Sequence, residues 1–260
     1  MHTNHARTFC ALVRRDLYVL RGAFVKSFLD GILILLTQVV ITRYFFPYLG
    51  MPQELIAPLY IGTVVMMLIH QNFSLSIENL LDLQSERIIE YRLILPITPP
   101  WLMASYITRW ILRMMVTTSP LIILGALLLG PAFPLTNIQP GLFVVIYLLS
   151  ALLFATYFLA SSFAYSYDWF INNFWPRRLD PILTFSAFLF PWYRITDVCW
   201  WAGVISLANP VTYVAEGCRA TLIANTNYLN PLLCIAILSG ACIVGAYWLL
   251  SSMYKRLDPV

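Results

Sequence analysis

The chain has 260 residues, of which 60% are hydrophobic and 11% charged, with a mean hydropathy of +0.76. Ordinary soluble domains carry roughly 25% charged residues, so this composition excludes a soluble globular domain and predicts an all-α integral membrane protein. The net charge of +4 lies beside apolar runs rather than on a polar face, which argues against a nucleic-acid partner and marks membrane topology instead.

Residues 1–21 lack a short apolar core with a small-residue cleavage site, so the start is expected to be retained. Within residues 8–24, Phe9, Val13, Leu17, Leu20 and Phe24 recur at steps of three or four, with Arg7, Arg14, Arg15 and Arg21 mostly opposite them. This predicts an amphipathic helix in the membrane interface over residues 1–26, and the same basic flank orients the first span. Residues 27–49 and 56–79 are each long enough to cross a hydrocarbon core of about 30 Å. Lys26 and Asp30 read as a snorkelling pair, and His70, Gln71 and Asn72 as interhelical hydrogen bonders.

Residues 78–100 form a charged island. Glu78, Asp82, Glu86, Arg87, Glu90 and Arg92 fall here, in a chain with only 16 Lys and Arg and 12 Asp and Glu. Residues 101–129 make a third span, with Arg109 and Arg113 placed to reach back to Glu78 or Asp82. An uncharged turn leads to a fourth span at 142–165, and a polar connection with Pro176, Arg177 and Arg178 follows. The predicted fifth span, 182–198, is interrupted by Pro191. Residues 199–230 predict a broken, partly inserted outer hairpin, with Glu216 and Arg219 at i, i+3. The last span is 232–254, followed by Lys255 and Arg256. Six spans leave only Arg43, Arg194 and Arg219 of the 16 basic residues opposite the N-terminus. By the positive-inside rule both termini are then cytoplasmic, in an inner (cytoplasmic) membrane.

The chain has no GxxxxGK[ST] phosphate loop, no HExxH and no GxSxG, and its only histidines are His2, His5 and His70. The five cysteines show no metal-ligand spacing. Cys199 and Cys218 could share one side of the membrane and pair, but buried free thiols are the preferred reading. No catalytic, metal or cofactor site is therefore expected, and any ATP-driven work requires a separate ATPase.

Two stretches resemble the type-2 permeases of ATP-binding-cassette exporters. One is Leu207, Ala208, Asn209, Pro210, Val211, Thr212, Tyr213, then Glu216 and Arg219, before the last span. The other is Glu86 and Arg87, then Leu95, Pro96, Ile97, Thr98, Pro99, at the step into the third span. With the N-terminal amphipathic helix and six spans in order, the likeness covers nearly the whole chain as a single permease domain, 1–260. It implies a half-transporter, paired with a second copy of itself or a similar permease and driven by a cytoplasmic ATPase that holds the ATP and Mg. It further implies a coupling helix in residues 83–95, contacting the ATPase through Leu83, Glu86, Arg87, Ile89, Glu90 and Arg92, and a second contact at residues 167–178. The substrate class it suggests is an amphiphile, lipid or glycan. The competing readings are a non-transporting membrane scaffold and a secondary carrier or channel.

Overall fold

The computed structural model describes residues 2–85, 88–133, 138–223 and 227–257. Helices α1 (His2–Val40), α2 (Phe46–Tyr48), α3 (Ile56–Gln84), α4 (Ile88–Leu93), α5 (Pro99–Leu129) and α6 (Pro140–Ala164) lead into a segmented region. That region holds α7 (Tyr167–Trp169), α8 (Asp180–Thr184), α9 (Trp192–Val198), α10 (Trp200–Leu207) and α11 (Pro210–Leu222), and α12 (Pro231–Leu257) closes the fold. Among the described residues there are helices and no strands. Five stretches are long and apolar enough to cross a membrane: Gly31–Tyr48, Gln53–Gln84, Pro99–Leu129, Pro140–Ala164 and Pro231–Arg256.

The N-terminal helix and the first span, expected as two elements, are one. α1 is 39 residues long, about 58 Å at 1.5 Å per residue, and a π turn at Ile41–Phe45 carries it on to α2. The join lacks proline, and Gly22 has open space around it, so nothing at residues 21–31 breaks the helix. α1 runs beside α5 in the same direction. His5 Nδ1 lies 3.1 Å from the Pro96 carbonyl oxygen, Phe9 meets Trp101 edge-on at 5.7 Å, and the Arg43 guanidinium donates to the Leu128 carbonyl.

α3 is the central helix. Against α5 it is antiparallel: the Tyr60 hydroxyl donates to the Leu121 carbonyl at 2.7 Å, and Asn72 Nδ2 lies 2.6 Å from Met114 Sδ. Against α6 it is parallel: the Ser76 hydroxyl donates to the Phe158 carbonyl at 3.1 Å, and Asn79 Nδ2 to Ser162 Oγ at 2.6 Å. These short polar side chains tie helices whose apolar faces alone give little preference for one another over lipid. α12 lies along α6, also parallel, with Cys242 against the Leu149 carbonyl and Trp248 against Tyr157. The start of α1, α4 and the end of α12 thus share one end of the bundle.

Because α6 and α12 are parallel, the chain between them must return along the bundle, and it does so in pieces. α7, a π-helical run at Phe170–Leu179 and α8 form one helical stretch that ends at Thr184. Its contacts climb antiparallel along α3: Phe170 stacks on Phe73 at 5.3 Å, Trp175 meets His70 at 5.9 Å, and the Phe188 carbonyl presses on Gly62. Residues 182–198, expected as one span, are therefore not a single helix. Helix stops after Thr184, residues 185–191 are irregular, and α9 begins after Pro191.

Candidate functional site

The irregular stretch 185–191 exposes backbone carbonyls that a continuous helix would satisfy. Lipid cannot satisfy them, so such backbone persists only where protein does. Arg219, fully buried on α11, supplies the donors. Its Nη1 donates to the Ala187 carbonyl at 2.6 Å and the Phe190 carbonyl at 3.4 Å, and its Nη2 to those of Phe188 and Leu189. Its Nε donates to the Pro58 carbonyl at 3.1 Å, at the start of α3. The charge is met by Glu216, also fully buried, with Oε1 at 3.0 Å from Nη1. Glu216 in turn accepts from the Trp192 amide at 3.0 Å and the Leu229 amide at 3.4 Å.

The rest of the Asn-Pro motif works on the same segment. Asn209 Oδ1 accepts from the Val211 amide at 3.0 Å, capping α11 just before Pro210 at the first helical position, while its amide nitrogen donates to the Ile182 and Phe185 carbonyls. Tyr213 donates to the Leu207 carbonyl at 2.7 Å. Thr212, part of the same motif, donates to the Ser206 carbonyl at 2.7 Å and accepts from the Ala187 amide at 3.2 Å. Asn209, Thr212, Glu216 and Arg219 are thus brought together as one clamp on the broken return segment, while Pro210 starts α11 and Tyr213 ties it to α10.

Next to this clamp lies a cavity of about 540 Å³, bounded by α1, α3, α5 and the carbonyl-rich turn at Phe188 and Leu189. Its polar wall comes chiefly from α3, where Thr63, His70, Gln71 and Ser74 recur at helical spacing. At 3.6 residues per turn they span about 100° of the helix surface, and none of them is buried. Gln38 on α1, Thr42 in the π turn after it and Thr117 on α5 complete the wall; Thr117 donates to Gln71 Oε1 at 2.6 Å. The i, i+3, i+4 recurrence was the signal that could have revealed this wall in the sequence.

At the α4 end the island folds back on the bundle. Asp82 accepts from the Ile88 and Ile89 amides at 3.1 and 3.2 Å, fixing the first turn of α4. Arg113 reaches Glu78 at 3.2 Å, and Arg109 lies 4.0 Å from the same carboxylate. Of the residues expected to meet an ATPase, Leu83 is half-buried against the core, Ile89 is buried, and Arg92 is 8% exposed. Arg92 sits over the Tyr106 ring at 4.8 Å, and among the described residues its Nε and Nη1 have no hydrogen-bond partner. Burial pushes its pKa down, partly offset by Tyr106. Glu86 and Arg87 lie outside the described residues, as does the side chain of Glu90. The exposed side chains of α4 and its exit are Ile88, Tyr91, Ile94 and Leu95, with Tyr91 at 70% and Ile94 at 81%.

All five cysteines are free; Cys199 is exposed and Cys218 buried. The side chains of Lys26 and Asp30 lie outside the described residues. Among the described residues no cluster of His, Cys, Asp or Glu could hold a metal ion. Fold and cavity together define a membrane-embedded helical bundle with a polar-walled chamber on one face. No family model, curated protein or solved structure matches the chain.

Proposed function

We propose that this chain is the membrane-spanning subunit of an ATP-driven exporter, working as a dimer around a pathway lined by the α1, α3 and α5 faces. The observation that carries the reading is the polar stripe of α3. Polar and ionisable side chains at membrane depth face a bundle interior or a water-filled cavity, because facing lipid leaves them unsatisfied. One copy leaves the stripe open, so a second copy of this chain, or a similar permease, is the natural cover.

On this reading the segmented stretch from α7 to α9 is the sixth crossing, and residues 199–230 dip into the outer leaflet. The α4 end, which gathers Arg7, Arg14, Arg15, Arg92, Lys255 and Arg256, faces the cytoplasm, with the basic first half of α1 at the membrane surface. An ATP-binding-cassette ATPase, holding ATP and Mg, docks there on α4. The chain would carry no cofactor of its own and would not itself be an enzyme.

Vesicles reconstituted with this chain and candidate ATP-binding-cassette ATPases of the same genome test the reading. ATP turnover that rises with the chain and falls with His70→Leu and Gln71→Leu supports it. In the same vesicles, a cysteine-free variant carrying Ser74→Cys is expected to react with a water-borne thiol reagent. Reaction only with a lipid-soluble reagent places the stripe in the bilayer and overturns the proposal.

A further inference from the structure

We infer that the occupant of the chamber is an uncharged amphiphile, with a hydroxyl- or amide-rich head on an apolar body. This rests on the transport reading for its location and goes beyond it in naming the ligand's chemistry. The volume, about 540 Å³, falls within the roughly 300–1,000 Å³ range of small-molecule sites.

Charge is the first discriminator. Arg113 is the only residue of the lining that carries a permanent charge, and its Nη1 is held by both Glu78 oxygens, at 3.3 and 3.2 Å. An anionic head would have to compete with Glu78 for that guanidinium. A cationic head finds no carboxylate in the lining, and its best acceptor, Glu78, is already engaged. Burying an unmatched charge here costs more than it returns.

Neutral hydrogen bonding is what remains. Among the described residues, the Gln38 side-chain amide, the Gln71 amide nitrogen and the His70 ring make no hydrogen bond within the chain. Thr63 and Ser74 donate to their own helix, to the Tyr60 and His70 carbonyls, and keep acceptor capacity free. A head bearing hydroxyls or amides can meet these groups as both donor and acceptor. The rest of the wall is apolar, through Met66, Met67, Phe46, Leu59, Phe188 and Leu189. Methionine accommodates irregular apolar shapes, which suits the body of an amphiphile.

The test uses the chain alone in lipid nanodiscs, so that it is independent of any ATPase. A cysteine-free variant with Ser74→Cys is labelled by a thiol reagent in the presence of dodecyl maltoside, dodecyl phosphate or dodecyltrimethylammonium, each below its solubilising concentration. Only the maltoside is expected to slow labelling. Adding Gln38→Leu or Gln71→Leu should weaken that protection by about five- to tenfold, the worth of one hydrogen bond, measured against each variant's own labelling rate in the absence of amphiphile. Equal protection by all three probes, stronger protection by a charged one, or protection unmoved by both substitutions overturns the inference. Maltoside protection without ATP-driven efflux in the reconstituted vesicles would instead sink the transport reading and leave this inference standing.

Discussion

Glu216 and Arg219 lie one turn apart on α11, 3.0 Å from each other and without solvent exposure, and their outward-facing bonds go to backbone rather than to a ligand. Arg219 holds the carbonyls of Ala187, Phe188, Leu189 and Phe190, and Glu216 the amides of Trp192 and Leu229. The pair therefore acts as a splice for a broken segment. Arg219→Met leaves a buried unpaired carboxylate and four unsatisfied carbonyls, and is expected to cost about 3–5 kcal/mol. Glu216→Gln keeps acceptor oxygen for the Trp192 amide and should cost less. Thermal midpoints in detergent, with protease cleavage at residues 185–191 as a local readout, check the order. Equal midpoints for Arg219→Met and the parent chain would remove the splice.

Two glycines mark close approaches of different kinds. A Cβ on Gly125 would strike the Tyr60 ring, whereas one on Gly62 would strike the Phe188 backbone oxygen and lie 3.3 Å from Arg219 Nη2. Gly125→Ala should destabilise the chain, and Tyr60→Leu should recover much of the loss by making room. Gly62→Ala should have no comparable side-chain rescue, because the obstacle is backbone. A double-mutant cycle for each position, read by thermal unfolding, separates the two. Additive effects for Gly125→Ala and Tyr60→Leu would show that the contact does not matter.

The sequence made the spans legible where apolar runs are long and proline is confined to the first turn, as in α3, α6 and α12. It also showed the reach of Arg113 to Glu78 and the i, i+3 pair on α11. It misled where composition and backbone part ways. Residues 182–198 read as apolar enough for a helix, yet their carbonyls are taken by Arg219, a partner over twenty residues downstream that no local pattern announces. Residues 8–24 read as a separate amphipathic helix because their charge changes, but no residue there interrupts the backbone. The chamber wall was present as a helical stripe and was hidden by reading His70, Gln71 and Asn72 as one cluster. Asn72 is buried against Met114, while its two neighbours in sequence face the cavity.

Cysteine chemistry offers a compact check of the α9 to α11 region. Cys10 and Cys199 are exposed, while Cys218, Cys234 and Cys242 are buried. A small maleimide should label the first two in the folded chain and all five after denaturation, with or without prior reduction. A reduction-dependent gain at Cys199 and Cys218 together would establish the disulfide and displace α10 relative to α11.

The island makes two kinds of residue distinguishable. Ile89 is buried in the chain's own fold, so Ile89→Asp should lower the thermal midpoint, and any loss of binding to the proposed ATPase would then follow from misfolding. Arg92 is buried with two donors unmatched; Arg92→Met keeps the packing on Tyr106 and removes a desolvated charge, so stability should hold or rise. Tyr91 and Ile94 face outward, and an apolar pair on a short helix suits a groove on a partner better than it suits water. Tyr91→Asp with Ile94→Asp should therefore leave the midpoint unchanged and abolish co-purification with the ATPase and its stimulated turnover. On the proposed reading, Glu86→Arg should dissociate or uncouple the ATPase while the chain stays folded. If the Tyr91 and Ile94 double variant still binds and stimulates the ATPase, docking does not occur on this face of α4, and the exposed apolar residues belong to the membrane surface.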